Sequence, residues 1–287
     1  MRYWRDWQSI VYLLALPLLV VWQWQDRFSW PLYSLELFLT LGVGVIHHNH
    51  THLRIWKLRR LNRFTDLWIT LLQGHPTFVF YPAHIRNHHR YHHGEQDLTR
   101  TYRFDIPGAR GDTNHLLGYL LHPLQAISVL YPEFVIYLKR RYRFQRRYFY
   151  YCMLQYLLVS CLWISLAAID WQKWLVLVLV PQLCGLHWLL ATNYLQHAHA
   201  DGCGSSLQFA RNFYGWVNPL LFNIGLHTAH HLHPRAHWSL LPSLAERYVA
   251  QVNPALNEKG LLRYMLRTYL LGSLHSRWRS RSLHNQD

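Results

Sequence analysis

Four long apolar runs punctuate the chain, and the segments between and around them alternate sharply in charge. The runs are Ile10–Trp24, Leu32–Ile46, Tyr148–Ile169 and Trp174–Leu195. A helix crosses a bilayer with about 20 apolar residues, so the last two span unaided. The first two need their flanks or some tilt. Trp4, Trp7, Trp22 and Trp24 bracket the first run as an aromatic belt would, and Pro31 precedes the second. The first run lacks a small-residue cleavage site and has acidic and aromatic neighbours, which argues against a signal peptide. A fifth apolar stretch, Phe64–Pro82, is broken by Gly74 and Pro76. It reads either as a buried cytoplasmic helix or as one lying in the headgroup layer. No internal repeat or low-complexity tract interrupts this plan.

Charge then orients the runs. The loops joining runs one to two and three to four each carry a single cation, Arg27 and Lys173. Every other member of the 29 Lys and Arg lies on the opposite side, which the positive-inside rule makes cytoplasmic. The expectation is an all-α integral membrane protein with one domain over residues 1–287. Its four transmembrane helices form two hairpins, and cytoplasmic segments 47–147 and 196–287 form a helical cap. A bacterial inner membrane is the expected location.

Composition narrows the class further. The chain is 51% hydrophobic yet carries a formal charge of +15, a mixture that suits apolar spans joined by basic loops. Nucleic acid is not the expected partner, because no zinc-finger spacing or RNA-binding signature accompanies the charge. The basic run Lys139–Arg147 anchors the third span against anionic lipid, or docks an acidic carrier or electron donor. Cys152, Cys161 and Cys184 fall inside apolar runs, and with Cys203 they form no CxxC spacing. They read as small hydrophobes and not as a disulfide or thiolate-metal framework.

Histidine is the unusual residue: 22 His against 14 Asp and Glu together. A metal here is held by imidazole, which favours iron, zinc or copper over magnesium or calcium. The histidines cluster in "HHNHTH" (His47–His52), "HIRNHHRYHH" (His84–His93), "NYLQHAH" (Asn193–His199) and "HTAHHLH" (His227–His233). All four clusters fall on the predicted cytoplasmic side. Residues three or four apart share a helix face. His48 pairs with His52, His84 with His88 (His89 adjacent), Asn193 with His197, and His227 with His230 and His231. One ion takes three or four protein ligands, so nine such imidazoles suit two ions.

The order HxxxH, HxxxHH, HxxHH around paired hydrophobic hairpins resembles the integral-membrane fatty acid desaturase superfamily, which includes hydroxylases and ketolases. The resemblance runs from about Leu32 to Pro242 and rests on "HNHTH", "HIRNHHRY", "NYLQH" and "NIGLHTAHHLHPRAHWSLLP". It implies a histidine-held, non-haem di-iron centre that activates O2 against an unactivated C–H bond of a fatty acyl chain. The ligands it implies are His48, His52, His84, His88, His89, His197, His227, His230 and His231, with Asn193 holding a metal-bound water. His47 with His50 is a competing register for the first box. His92 and His93 orient ligands or lie at the surface, and His199 neighbours or replaces His197. His233, His237, His275 and His284 fall outside the pattern, and His187 reads as a helix contact within the fourth span. His75, His115 and His122 carry no expected role. Glu95, Asp97, Asp66 and Asp201 are the acids available to orient imidazoles.

The expected substrate is a fatty acyl chain, as free acid, acyl-CoA, acyl carrier protein or lipid, lying in an apolar slot among the spans. The expected outcome is desaturation. Hydroxylation, ketone formation and oxidative decarboxylation to a terminal alkene share the same motifs. Electrons come from outside the chain, from a ferredoxin, rubredoxin or cytochrome. A histidine-rich metal transporter would instead place ionisable residues at mid-membrane depth, and a zinc hydrolase would show HExxH.

Overall fold

A computed structural model describes residues 1–101, 116–200, 207–280 and 283. His115, Asp201, Cys203 and His284 lie outside them. The chain is almost wholly helical, and its one sheet among the described residues pairs Asn212–Phe213 in parallel with Asn257–Glu258. Helices α1 (Trp7–Trp24), α2 (Trp30–His52), α3 (Arg59–Gln73), α4 (the π-helical turn Tyr81–His88), α5 (Leu116–Phe144), α6 (Arg146–Ile169) and α7 (Trp171–His197) are followed by α8 (His227–Leu232) and α9 (261–274). Among the described residues, four helices are long and apolar enough to cross a membrane: Trp4–Trp24, Trp30–His52, Arg146–Ile169 and Trp171–His197. They correspond to the four apolar runs, extended at their ends. The extension matters at α2, which continues through the whole first histidine box.

The residues divide into two compact units. The first holds Met1–Pro82 and Phe134–Leu189. Within it, α1 packs on α2 as the first hairpin. The Asp170 carboxylate caps the start of α7 by accepting the Gln172 and Lys173 N–H groups. Lys173 Nζ then donates to the Trp24 carbonyl at 2.9 Å and pairs with Asp26 at 2.7 Å, tying the two inter-span loops together. Between α1 and α2, Gln23 Nε2 donates to the fully buried Glu36 at 2.6 Å, so this intramembrane carboxyl has a partner. Helix α3 ends at Gly74, whose φ of +67° a side chain would strain. The turn that follows is fixed by Gln155 of α6, whose Oε1 lies within hydrogen-bond distance of Thr77 Oγ1 and accepts the Phe78 N–H.

The second unit holds Ala83–Glu133 and Leu190–Asp287. Its core packs Tyr119, Tyr194, Phe213, Tyr264 and Tyr269 around Ala191, Leu195 and Ala198. Arg211, only 1% exposed, holds the loop after α7: its guanidinium donates to the Ala255 carbonyl and to Glu258, and lies 4.7 Å from the Tyr264 ring. A buried cation is tolerable when paired and hydrogen-bonded in this way. Arg267 joins Glu258 at 2.7 Å from the other side.

Candidate metal centre

Two elements of the second unit bring four buried imidazoles together with a third. His88 closes α4, His227 and His231 lie one turn apart on α8, and His197 ends α7. One ring nitrogen from each of the four lies within 4.8 Å of the others. His227 Nε2 is 3.0 Å from both His197 Nε2 and His231 Nε2. Nitrogens about 2.1 Å from a shared ion stand about 3.0 Å apart at a right angle and about 3.4 Å apart at the tetrahedral angle. The spacing is that of a coordination shell.

The far sides of two of these rings are tied down. His88 Nδ1 lies 2.7 Å from Asp97 Oδ2, while its Nε2 is buried with no hydrogen-bond partner. Asp97 in turn accepts the N–H groups of His93 at 3.0 Å and Thr99 at 2.8 Å, and the Thr99 hydroxyl at 2.9 Å. Burial alone would push this carboxyl up; His88 beside it, then His93 and the Thr99 N–H, outweigh burial and hold it well below the usual carboxylate range. His197 Nδ1 donates to the Phe209 carbonyl at 2.7 Å, which leaves Nε2 as the nitrogen with a lone pair. Burial first, and then the neighbouring imidazoles, keep His231 far below the usual histidine range and therefore neutral. Neutral rings with outer N–H groups fixed on a carboxylate or carbonyl are what a metal requires. His88 Nε2 makes the same point: a buried imidazole nitrogen without a hydrogen-bond partner among the described residues fits an ion.

A second imidazole group in this unit joins His84, His89 and His230, with His89 Nε2 at 3.1 Å from His84 Nε2 and 3.0 Å from His230 Nε2. In the first unit, His48 and His52 sit on one face of the last turn of α2, ring centroids 4.9 Å apart. Their neighbours His47 and His50 are otherwise engaged. His47 Nε2 donates to the Thr77 carbonyl at 3.0 Å, and His50 Nδ1 accepts the Ile55 N–H at 3.2 Å.

The profile of the fatty acid desaturase family matches residues 22–260. The chain belongs to the fatty acid desaturase family. No curated protein and no solved structure matches it. Membership makes this an oxidoreductase family fold, and the imidazole groups are able to hold metal.

Other sequence candidates in this desaturase-family chain fall as follows. Asn193 donates to the Thr99 carbonyl at 3.0 Å, on the loop that also carries Asp97. His199 points its Nδ1 to Ser280 Oγ, 2.6 Å away, so it does not duplicate His197. His233 bonds Tyr248, His237 caps the turn at Ser239, and His275 accepts the Arg277 N–H. His75 and His122 are held neutral by burial, each near a pKa of about 4. Among the described residues, His187 joins no metal-competent group. Among the acids, Glu95 is exposed, and Asp66 serves His50 and Arg54 instead of a box-pair imidazole. Sequence reasoning gave no defined place to His92, which groups with His89 and His231 within 4.8 Å. Its signal was its spacing, four residues after His88 and three after His89. Reasoning from sequence also missed Arg211, a lone cation with no motif around it.

Proposed function

We propose that this chain oxidises an unactivated C–H bond of a fatty acyl chain with O2, at a histidine-held pair of irons, and that the outcome is desaturation. The ligand set is His48, His52, His84, His88, His89, His197, His227, His230 and His231, with Asn193 positioning a water. The observation that carries this reading is the group of four buried imidazoles, His88, His197, His227 and His231, in which His227 Nε2 stands 3.0 Å from His197 Nε2 and His231 Nε2 while the outer nitrogens of His88 and His197 rest on Asp97 and the Phe209 carbonyl. When bound, the irons supply activation of O2. The protein's part is to present neutral imidazoles, to fix His88 and His197 from behind, and to bury His88, His197, His227 and His231 away from water.

The substrate is a free fatty acid, acyl-CoA, acyl carrier protein or acyl lipid, and electrons arrive from a ferredoxin, rubredoxin or cytochrome. The distribution of Lys and Arg supports a cytoplasmic site in a bacterial inner membrane. The test is lipid and hydrocarbon profiling of cells expressing the chain or its His230→Ala, His231→Ala double variant. New double bonds that vanish with the variant are expected. Hydroxyl or keto acyl chains, or volatile terminal alkenes, would replace desaturation with a related outcome, and an unchanged profile would overturn the reading.

A further inference from the structure

The second unit carries an apolar surface that the metal centre does not use. Helix α9 points Leu262, Leu266, Leu270 and Leu274 outward at four-residue intervals, with Leu262 74% and Leu274 79% exposed. The first turns of α5 expose Leu116, Leu117, Leu120, Leu121 and Leu124 in the same unit. Part of the α5 row lines a cavity of about 390 Å³: Leu116, Leu117 and Leu120 form one wall, and Thr268, Gly272, Ser273 and Arg279 the other. That volume lies in the range of ligand clefts.

The polar groups of the cavity are few and specific. Thr268 is 1% exposed and its hydroxyl has no hydrogen-bond partner among the described residues, an uncommon state for a buried polar group. It lies in the π-helical stretch Leu266–Leu271. Arg279 crosses close over Gly272, where a Cβ would stand 3.2 Å from its Cγ, and its Nε donates to the Gly272 carbonyl at 2.8 Å. Arg279 is an exposed residue and the one cation among those that line the cavity. Arg263 and Arg277 lie on the same segment, and Arg277 rests 4.9 Å above the ring of Trp278.

We propose that this cavity seats one anionic phospholipid, its phosphate on Arg279 and an acyl chain along Leu116, Leu117 and Leu120 of α5. Leucines on one face with arginines and a tryptophan at the edge are the signature of a helix in the headgroup layer. A second copy of this chain is a poorer occupant, since face-to-face pairing would oppose like charges.

Native mass spectrometry of the full-length protein in neutral detergent tests this, titrated with phosphatidylglycerol, phosphatidylcholine or inorganic phosphate. One phosphatidylglycerol is expected to bind ahead of phosphatidylcholine, and inorganic phosphate alone not to bind. Arg279→Gln should weaken binding about fivefold, the share of one cation near an anionic lipid. Thr268→Val, which keeps shape and removes only the hydroxyl, should also weaken it. A diazirine-tailed phosphatidylglycerol should crosslink within 116–124 or 261–274. Equal affinity for the two lipids, wild-type binding by both variants, crosslinks elsewhere, or dimers in place of a lipid adduct would each overturn the proposal.

Discussion

Asp97 shows how one side chain organises a candidate metal site from behind. It takes the outer nitrogen of His88 and three donors from its own loop, so it fixes both the ring and the segment that follows the second histidine box. Asp97→Asn keeps the shape but loses the charge, and metal affinity at the His88 group is expected to fall roughly 10- to 100-fold. Competition with a chelator measures it; unchanged affinity would remove Asp97 from the site. The sequence named Asp97 as one of four candidate acids but could not rank them. Spacing shows that an acid is near a box, and only the fold shows that Asp66 turns to His50 and Arg54 while Asp97 returns to His88. The histidines were more legible, because i, i+3 and i, i+4 spacing on a helix is itself geometry. His92 escaped since it follows the helical turn, with a left-handed φ of 43°.

At the level of elements, the third box depends on a clamp and not on helix propensity, since α8 spans only His227–Leu232. Asn218 donates to the Phe213 carbonyl at 3.0 Å and accepts the Gly225 N–H at 3.1 Å, and the Phe213 N–H returns to Gly225 at 2.8 Å. A Cβ at Gly225 would collide with the Phe213 carbonyl and the Asn218 side chain. Gly225→Ala is therefore expected to cost about 1–3 kcal/mol and to lower metal retention with it. Thermal unfolding and metal content of the purified variant check this, and an unchanged melting temperature would contradict the clamp. The four spans were readable from hydropathy, but α5 was not: Pro123 and Pro132 inside its 29 residues break the usual helical pattern, yet the helix continues through both. The continuation of α2 through His52 was likewise invisible to hydropathy, which stops where the residues become polar.

For the whole molecule, the charge asymmetry is the strongest statement about orientation. The loop containing Asp26 and the loop containing Lys173 are paired, and the basic run Lys139–Arg147 is expected on the other side of the membrane. Asp26→Cys should react with an impermeant thiol reagent in intact cells, and Lys139→Cys only after the membrane is opened. The reverse pattern would invert the topology. Surface pairing such as Lys173 with Asp26 contributes little to stability, so the first substitution should be tolerated. Under the proposed function, imidazoles drawn from four separated segments of the sequence are expected to hold two irons. Elemental analysis of the purified full-length chain measures this most directly. About two irons per chain are expected, with a clear loss when His230 and His231 are both replaced by alanine. Iron absent from the native protein, or unchanged in that double variant, would contradict the account.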